Sequence, residues 1–179
     1  MHFHSFLPAI AFATTCSAAP TLSPRAPGDV TTPFLLVTTT DCEPNANSSL
    51  LSNVSATSLF DPFNQRNYLL RTIAPGYGSL PYFNLTSGTL HTTASGPEAQ
   101  GTFQYNSTEV EAGTELQFAP ANEPSGNLGL KDGYLLMVNG TGTGWSVCDG
   151  EIGQSVIEWM GTDASCVDTY IQAVSKAPY

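Results

Sequence analysis

Phe83-Asn-Leu85-Thr-Ser-Gly88-Thr-Leu90 and Leu128-Gly-Leu130-Lys-Asp-Gly133-Tyr-Leu135 are two copies of one pattern, apolar-x-Leu-x-x-Gly-x-Leu, offset by 45 residues. The segments downstream of each copy also line up: Phe103-Gln-Tyr105 with Trp145-Ser-Val147 at an offset of 42, and Leu116-Gln-Phe118 with Ile157-Glu-Trp159 at an offset of 41. Apolar residues at alternate positions mark half-buried strands. Ser87-Gly88 and Asp132-Gly133 fall where a tight hairpin needs positive φ. Repetition at this period means a fold of equivalent units. The sequence therefore predicts an all-β domain, a β-trefoil-like barrel of three units of about 45 residues. A β-sandwich is the alternative, because its hairpins produce the same apolar-x-apolar-turn pattern.

On the N-terminal side, Phe34 to about Gly78 would be the first unit, although no hairpin signature shows there. Phe34–Val37 opens the folded domain as a strand, and polar Asp41–Ser58 reads as a loop. Tyr68–Ile73 reads as a strand, Ala74-Pro-Gly-Tyr-Gly78 as a turn, and Val167–Val174 as a closing strand. Residues 1–18 read as a secretory signal peptide: Phe6–Phe12 is apolar and Cys16-Ser-Ala18 is a small-x-small cleavage site. The apolar run is too short to span a bilayer. Residues 19–33, rich in Pro, Ser and Thr, read as a flexible leader, which leaves a single β domain over 34–179. The polar C-terminus carries no lipid-anchor signal.

The chain has 179 residues, of which 5 are basic and 15 acidic, for a net charge of −10. That excludes nucleic acid, which needs basic patches to displace counterions, and an anionic membrane surface. The 16 Gly and 13 Pro favour turns over helices. Once the signal peptide is removed, Cys42, Cys148 and Cys166 remain. Secreted cysteines oxidise where geometry allows. Cys148 and Cys166 flank one hairpin of the last unit, so they are the expected pair, worth about 3 kcal/mol in the chain-entropy model. Cys42 is then free in a polar loop, the alternative being Cys42 bonded to either of the others. Three thiols with no nearby His do not make a metal site, and no cofactor motif is present. Five Asn-x-Ser/Thr sequons, at Asn47, Asn53, Asn84, Asn106 and Asn139, predict N-glycans on exposed turns and strand edges.

No residues form a recognisable catalytic set. His91 is the sole histidine past the signal peptide, and no Gly-x-Ser-x-Gly elbow accompanies it. Glu109 with Glu111, Asp149 with Glu151, and Glu158 are the carboxylates that a small acid hydrolase could pair, one of them raised in pKa by burial. A solvated acidic face explains them more simply. Tyr77, Tyr82, Tyr105, Tyr134 and Trp145 lie in or near turns, where an aromatic ring can stack on a sugar. Tyr134 and Trp145 are the candidates for such a site, with cell-wall polysaccharide as the partner.

Several phrases carry a family resemblance: Pro33-Phe-Leu-Leu-Val-Thr-Thr-Thr40, Asn53-Val-Ser-Ala-Thr-Ser-Leu-Phe-Asp-Pro62, Gly76-Tyr-Gly-Ser-Leu-Pro81, Glu123-Pro-Ser-Gly-Asn-Leu-Gly-Leu130, Asp132-Gly-Tyr-Leu-Leu136, Trp145-Ser-Val-Cys148 and Thr169-Tyr-Ile-Gln-Ala-Val174. Over Pro33–Val174 the chain resembles small secreted proteins of filamentous fungi identified as IgE-binding or cell-wall proteins, and more distantly the phialide-associated cell-wall protein of the same moulds. The resemblance implies an extracellular or wall-associated mould antigen, an allergen of non-catalytic role, and transfers no catalytic residue. IgE binding describes a host antibody response and not a molecular function. A carbohydrate-binding, lectin-like module is the alternative expectation, and the acid hydrolase the second.

Overall fold

The computed structural model describes residues 30–44, 54–61, 67–73, 80–96, 101–120 and 125–176. The predicted signal peptide, the leader up to residue 29, and Asn47, Asn53 and Tyr77 lie outside them. Described residues form thirteen strands and one 3-10 turn at Glu151–Gly153. The strands are β1 (Val30–Thr39), β2 (Ser55–Phe60), β3 (Tyr68–Ile73), β4 (Phe83–Thr86), β5 (Thr89–Ser95), β6 (Thr102–Ser107), β7 (Thr114–Glu115), β8 (Gln117–Ala119), β9 (Leu128–Lys131), β10 (Leu135–Val138), β11 (Trp145–Asp149), β12 (Ser155–Trp159) and β13 (Val167–Val174). The domain is all-β and every pairing is antiparallel. None of the described segments forms a helix long and apolar enough to cross a membrane.

Six strands run in chain order around a ring. β1 pairs with β4 at Phe34↔Phe83, and β4 forms a hairpin with β5. The turn entering β5 meets the entry to β9: the Gly126 and Leu128 N–H groups donate to the Ser87 and Gly88 carbonyls at 3.1 and 2.9 Å. β9 pairs with β10, β10 meets β13 at Leu135↔Gln172, and β13 returns to β1 from Leu35↔Val174 to Thr39↔Tyr170. Gly88 and Gly126 allow the close approach between turn and strand. A Cβ on Gly88 would lie 2.2 Å from the Gly126 carbonyl oxygen, and Gly88 itself has φ +78°, a region open to glycine.

Six of the other strands make three hairpins, β2–β3, β6–β8 and β11–β12, and β7 pairs with β12. Their inner strands converge. The Leu70 N–H donates to the Leu116 carbonyl at 3.0 Å and the Leu116 N–H donates to the Ile157 carbonyl at 3.1 Å. β12 then meets β3 at Val156↔Arg71, closing the triangle. Leu70, Leu116 and Ile157 are all fully buried there. The core fills the space between ring and hairpins. Phe83 lies between Phe34 and Phe118, at centroid distances of 6.5 and 5.6 Å. Trp145 and Trp159 meet edge to face at 5.1 Å.

The two copies of the repeated pattern are the hairpins β4–β5 and β9–β10, as their spacing predicts, and β13 spans the residues expected of the closing strand. Three details differ. β1 begins at Val30, inside the stretch read as leader. β2 occupies the end of the segment read as a loop: Ala56 and Thr57 are buried, and the Thr57 Oγ1 donates to the Leu36 carbonyl at 3.0 Å. A satisfied threonine hydroxyl can be buried at little cost, so a polar run such as Ser-Ala-Thr-Ser can still be a core strand. The second hairpin also takes one more residue in its turn, pairing Lys131 with Leu135 where the first pairs Thr86 with Thr89.

Candidate functional site

Strands β4, β5 and β6 lie side by side, and their register fixes a row of polar residues across them. Asn84 sits opposite His91, and His91 opposite Asn106. Alternation sends Phe83, Leu85 and Leu90 into the core. It leaves Asn84, Thr86, His91, Thr93 and Gln104 around a cleft of about 480 Å³, with Pro33 and Tyr82 on its rim. Tyr82 is 59% exposed. Its backbone is held, since the Thr92 Oγ1 donates to its carbonyl at 2.7 Å. A second hollow, bounded by Leu59, Tyr68, Leu80, Pro81 and Thr102, continues past Thr93, which lines both.

The His91 Nδ1 lies 2.6 Å from the Asn106 Oδ1. That oxygen can only accept, so Nδ1 carries the proton. The Gln104 amide nitrogen donates to the same oxygen at 3.1 Å. Its 3.3 Å approach to Nδ1 therefore joins two donors that share one acceptor. The imidazole is oriented by amides and not by a carboxylate, and the cleft lining contains no acid. Such a surface can hydrogen-bond and stack on a polar, uncharged ligand.

The sequence-derived sugar-stacking pair is corrected by burial. Trp145 has no exposed surface and its Nε1–H donates to the Leu136 carbonyl at 3.1 Å, so it is a core residue. Tyr134 is half-buried, with its hydroxyl donating to the Cys42 carbonyl at 3.1 Å, and burial pushes its pKa up. Tyr105 is also in the core. Tyr82, singled out for its place near a turn, is the accessible ring among the described candidates.

Cys148 and Cys166 form the expected disulfide. Cys42 is disulfide-bonded too and not the free thiol that the sequence reading favoured. The Glu158 carboxylate lies near the Cys148 and Cys166 sulfurs. Those sulfurs are bonded to each other, so they do not offer thiolates to a metal.

Of the described sequons, Asn139 is exposed, at φ +49°, in a tight turn closed by mutual hydrogen bonds of 2.9 Å between Val138 and Thr141. Asn84 is half-buried on the cleft wall, and Asn106 is buried with its Oδ1 occupied.

Glu109, Glu111, Asp149 and Glu151 are exposed. Glu158 faces a partner that the sequence reading missed, Glu115, directly across β7–β12. Arg71, 3% exposed, reaches Glu115 at 3.2 Å, while its Nε and Nη1 have no hydrogen-bond partner among the described residues. Burial raises the Glu115 pKa, Arg71 opposes that, and Glu158 and Glu151 add to it. A lone arginine inside Leu69-Leu70-Arg71-Thr72-Ile73 was the available signal: a charge in an apolar strand needs a buried partner. Comparison with family models, curated proteins and solved structures finds no match.

Proposed function

We propose that this chain is a secreted, N-glycosylated, wall-associated protein of β-trefoil type with a non-catalytic role, antigenic in the manner of the mould proteins it resembles. The carrying observation is the surface itself: a sequon at the tip of an exposed turn, Asn139-Gly-Thr141, on a domain closed by the Cys148–Cys166 disulfide. Both belong to the oxidising, glycosylating secretory route. The trefoil reading is supported by the six ring strands in chain order and by the three hairpins that converge on Leu70, Leu116 and Ile157. A non-catalytic role is supported by the amide-held imidazole, which has no carboxylate beside it in the cleft lining. The test is fractionation of a culture producing the tagged chain. Protein in the medium or wall extract with sugar on Asn139 supports the reading, and protein confined to the cell interior removes it.

A second reading, carbohydrate binding, now rests on the exposed Tyr82 and its polar cleft and no longer on Tyr134 and Trp145. Saturable retention on insoluble β-glucan, chitin or isolated walls, lost in Tyr82→Ala, would support it. No retention on any of them would remove it.

A further inference from the structure

We infer that the cleft beside β4 is the seat of the chain's own N-glycan, with the first N-acetylglucosamine on Asn84 lying against the ring of Tyr82. The inference rests on the secretory reading above and says where one of the sugars goes.

In extended backbone, residues two apart share a face. Tyr82, Asn84 and Thr86 therefore look the same way, and all three line the cleft. Asn84 and Thr86 are the first and last residues of a sequon, so acceptor, hydroxyl and aromatic ring stand in one row. Phe83 and Leu85, buried at 0% and 1%, anchor the opposite face in the core and hold the row outward. A sugar joined to Asn84 starts inside the cleft.

The cleft suits that occupant. N-acetylglucosamine has an apolar face of ring hydrogens and an edge of hydroxyl and acetamido groups. An aromatic ring takes the first, and Tyr82, a residue 59% exposed, offers one on a held backbone. Thr93 and Gln104 on the same walls supply donors and acceptors for the second. With one ring proton, on Nδ1, the His91 Nε2 offers a further acceptor. The volume, about 480 Å³, falls in the range of small-molecule sites. An attached ligand also avoids the entropic cost of association, so even a shallow cleft holds it. The Asn84 glycan then covers an aromatic that would otherwise meet solvent, and it closes the cleft to free polysaccharide.

The test is a double-mutant cycle on full-length protein from a glycosylating, secreting host, using Asn84→Gln and Tyr82→Ala, with intact-glycopeptide mass spectrometry at each sequon. The expected result is sugar on Asn84, a Tm about 2–4 °C lower in Asn84→Gln than in wild type, and no such loss when Tyr82 is already Ala. In wild type the N-acetylglucosamine protons are shifted upfield by the tyrosine ring, and Tyr82→Ala abolishes the shift. Sugar on Asn84 with the same loss in both backgrounds, or unshifted protons, overturns the inference and leaves the glycoprotein reading standing. Asn84 bare beside a glycosylated Asn139 does the same. If no sequon carries sugar, both fall.

Discussion

Trp145 shows how far a residue's neighbours in sequence can mislead about its role. A tryptophan beside Gly-rich turn sequence suggests an exposed stacking ring, yet Trp145 is sealed against Trp159. Trp145→Ala should destabilise the domain by about 3–5 kcal/mol, read as a drop in the urea midpoint. Tyr82→Ala in unglycosylated protein should stay within about 0.5 kcal/mol of wild type. Asn106 makes the same point for modification. Its buried amide orients His91 and accepts from Gln104, so folded, secreted protein should be bare at Asn106 and carry sugar at Asn139, as glycopeptide masses will show. Composition could not rank these positions, because exposure depends on which strand lies alongside. The Asn84–His91–Asn106 row became visible once the β4–β5–β6 register was known.

Elements were more legible than residues. Each glycine of the repeated pattern sits at positive φ in its hairpin turn, Gly88 at +78° and Gly133 at +80°, and turn chemistry of this kind can be read from local sequence. β2 was not legible, because hydroxyl side chains satisfied by backbone carbonyls look like a loop. Gly88 carries a second duty that its turn does not announce, the backbone contact with Gly126. Gly88→Ala should therefore cost more than the roughly 1–2 kcal/mol typical of left-handed backbone alone, and calorimetry should find it among the most damaging single changes. At the other end of the domain, the Cys148–Cys166 disulfide ties β11 to the start of β13 across a separation of 18 residues. Removing it as the paired Cys148→Ala, Cys166→Ala variant should lower stability by about 3 kcal/mol.

At the scale of the whole molecule, the acidic charge includes a buried proton-linked site. Burial raises the Glu115 pKa above its ordinary 4.5, outweighing the pull of Arg71. A carboxyl whose folded pKa is raised contributes stability that is present below its unfolded pKa and lost as pH rises through the folded one. Exposed Asp163 works in the opposite sense, below its ordinary 3.8 and so outside the window above 4.5. The urea midpoint of wild type relative to Glu115→Gln should therefore rise as pH falls from 7 towards 4.5, and a flat difference would show that burial does not govern this group. The seam between β1 and β13 has a consequence in time. The bond from the Gln172 side chain to the Asp41 carbonyl spans 131 residues, so the first strand of the ring waits for the last. At about 5–20 residues per second of synthesis, that wait is on the order of ten seconds. On the secretory route proposed above, Asn84, Asn106 and Asn139 would pass the glycosylating enzymes on an unclosed chain. Sugar would then come first and closure second, so a chain marked at Asn106 should stall before its ring can shut.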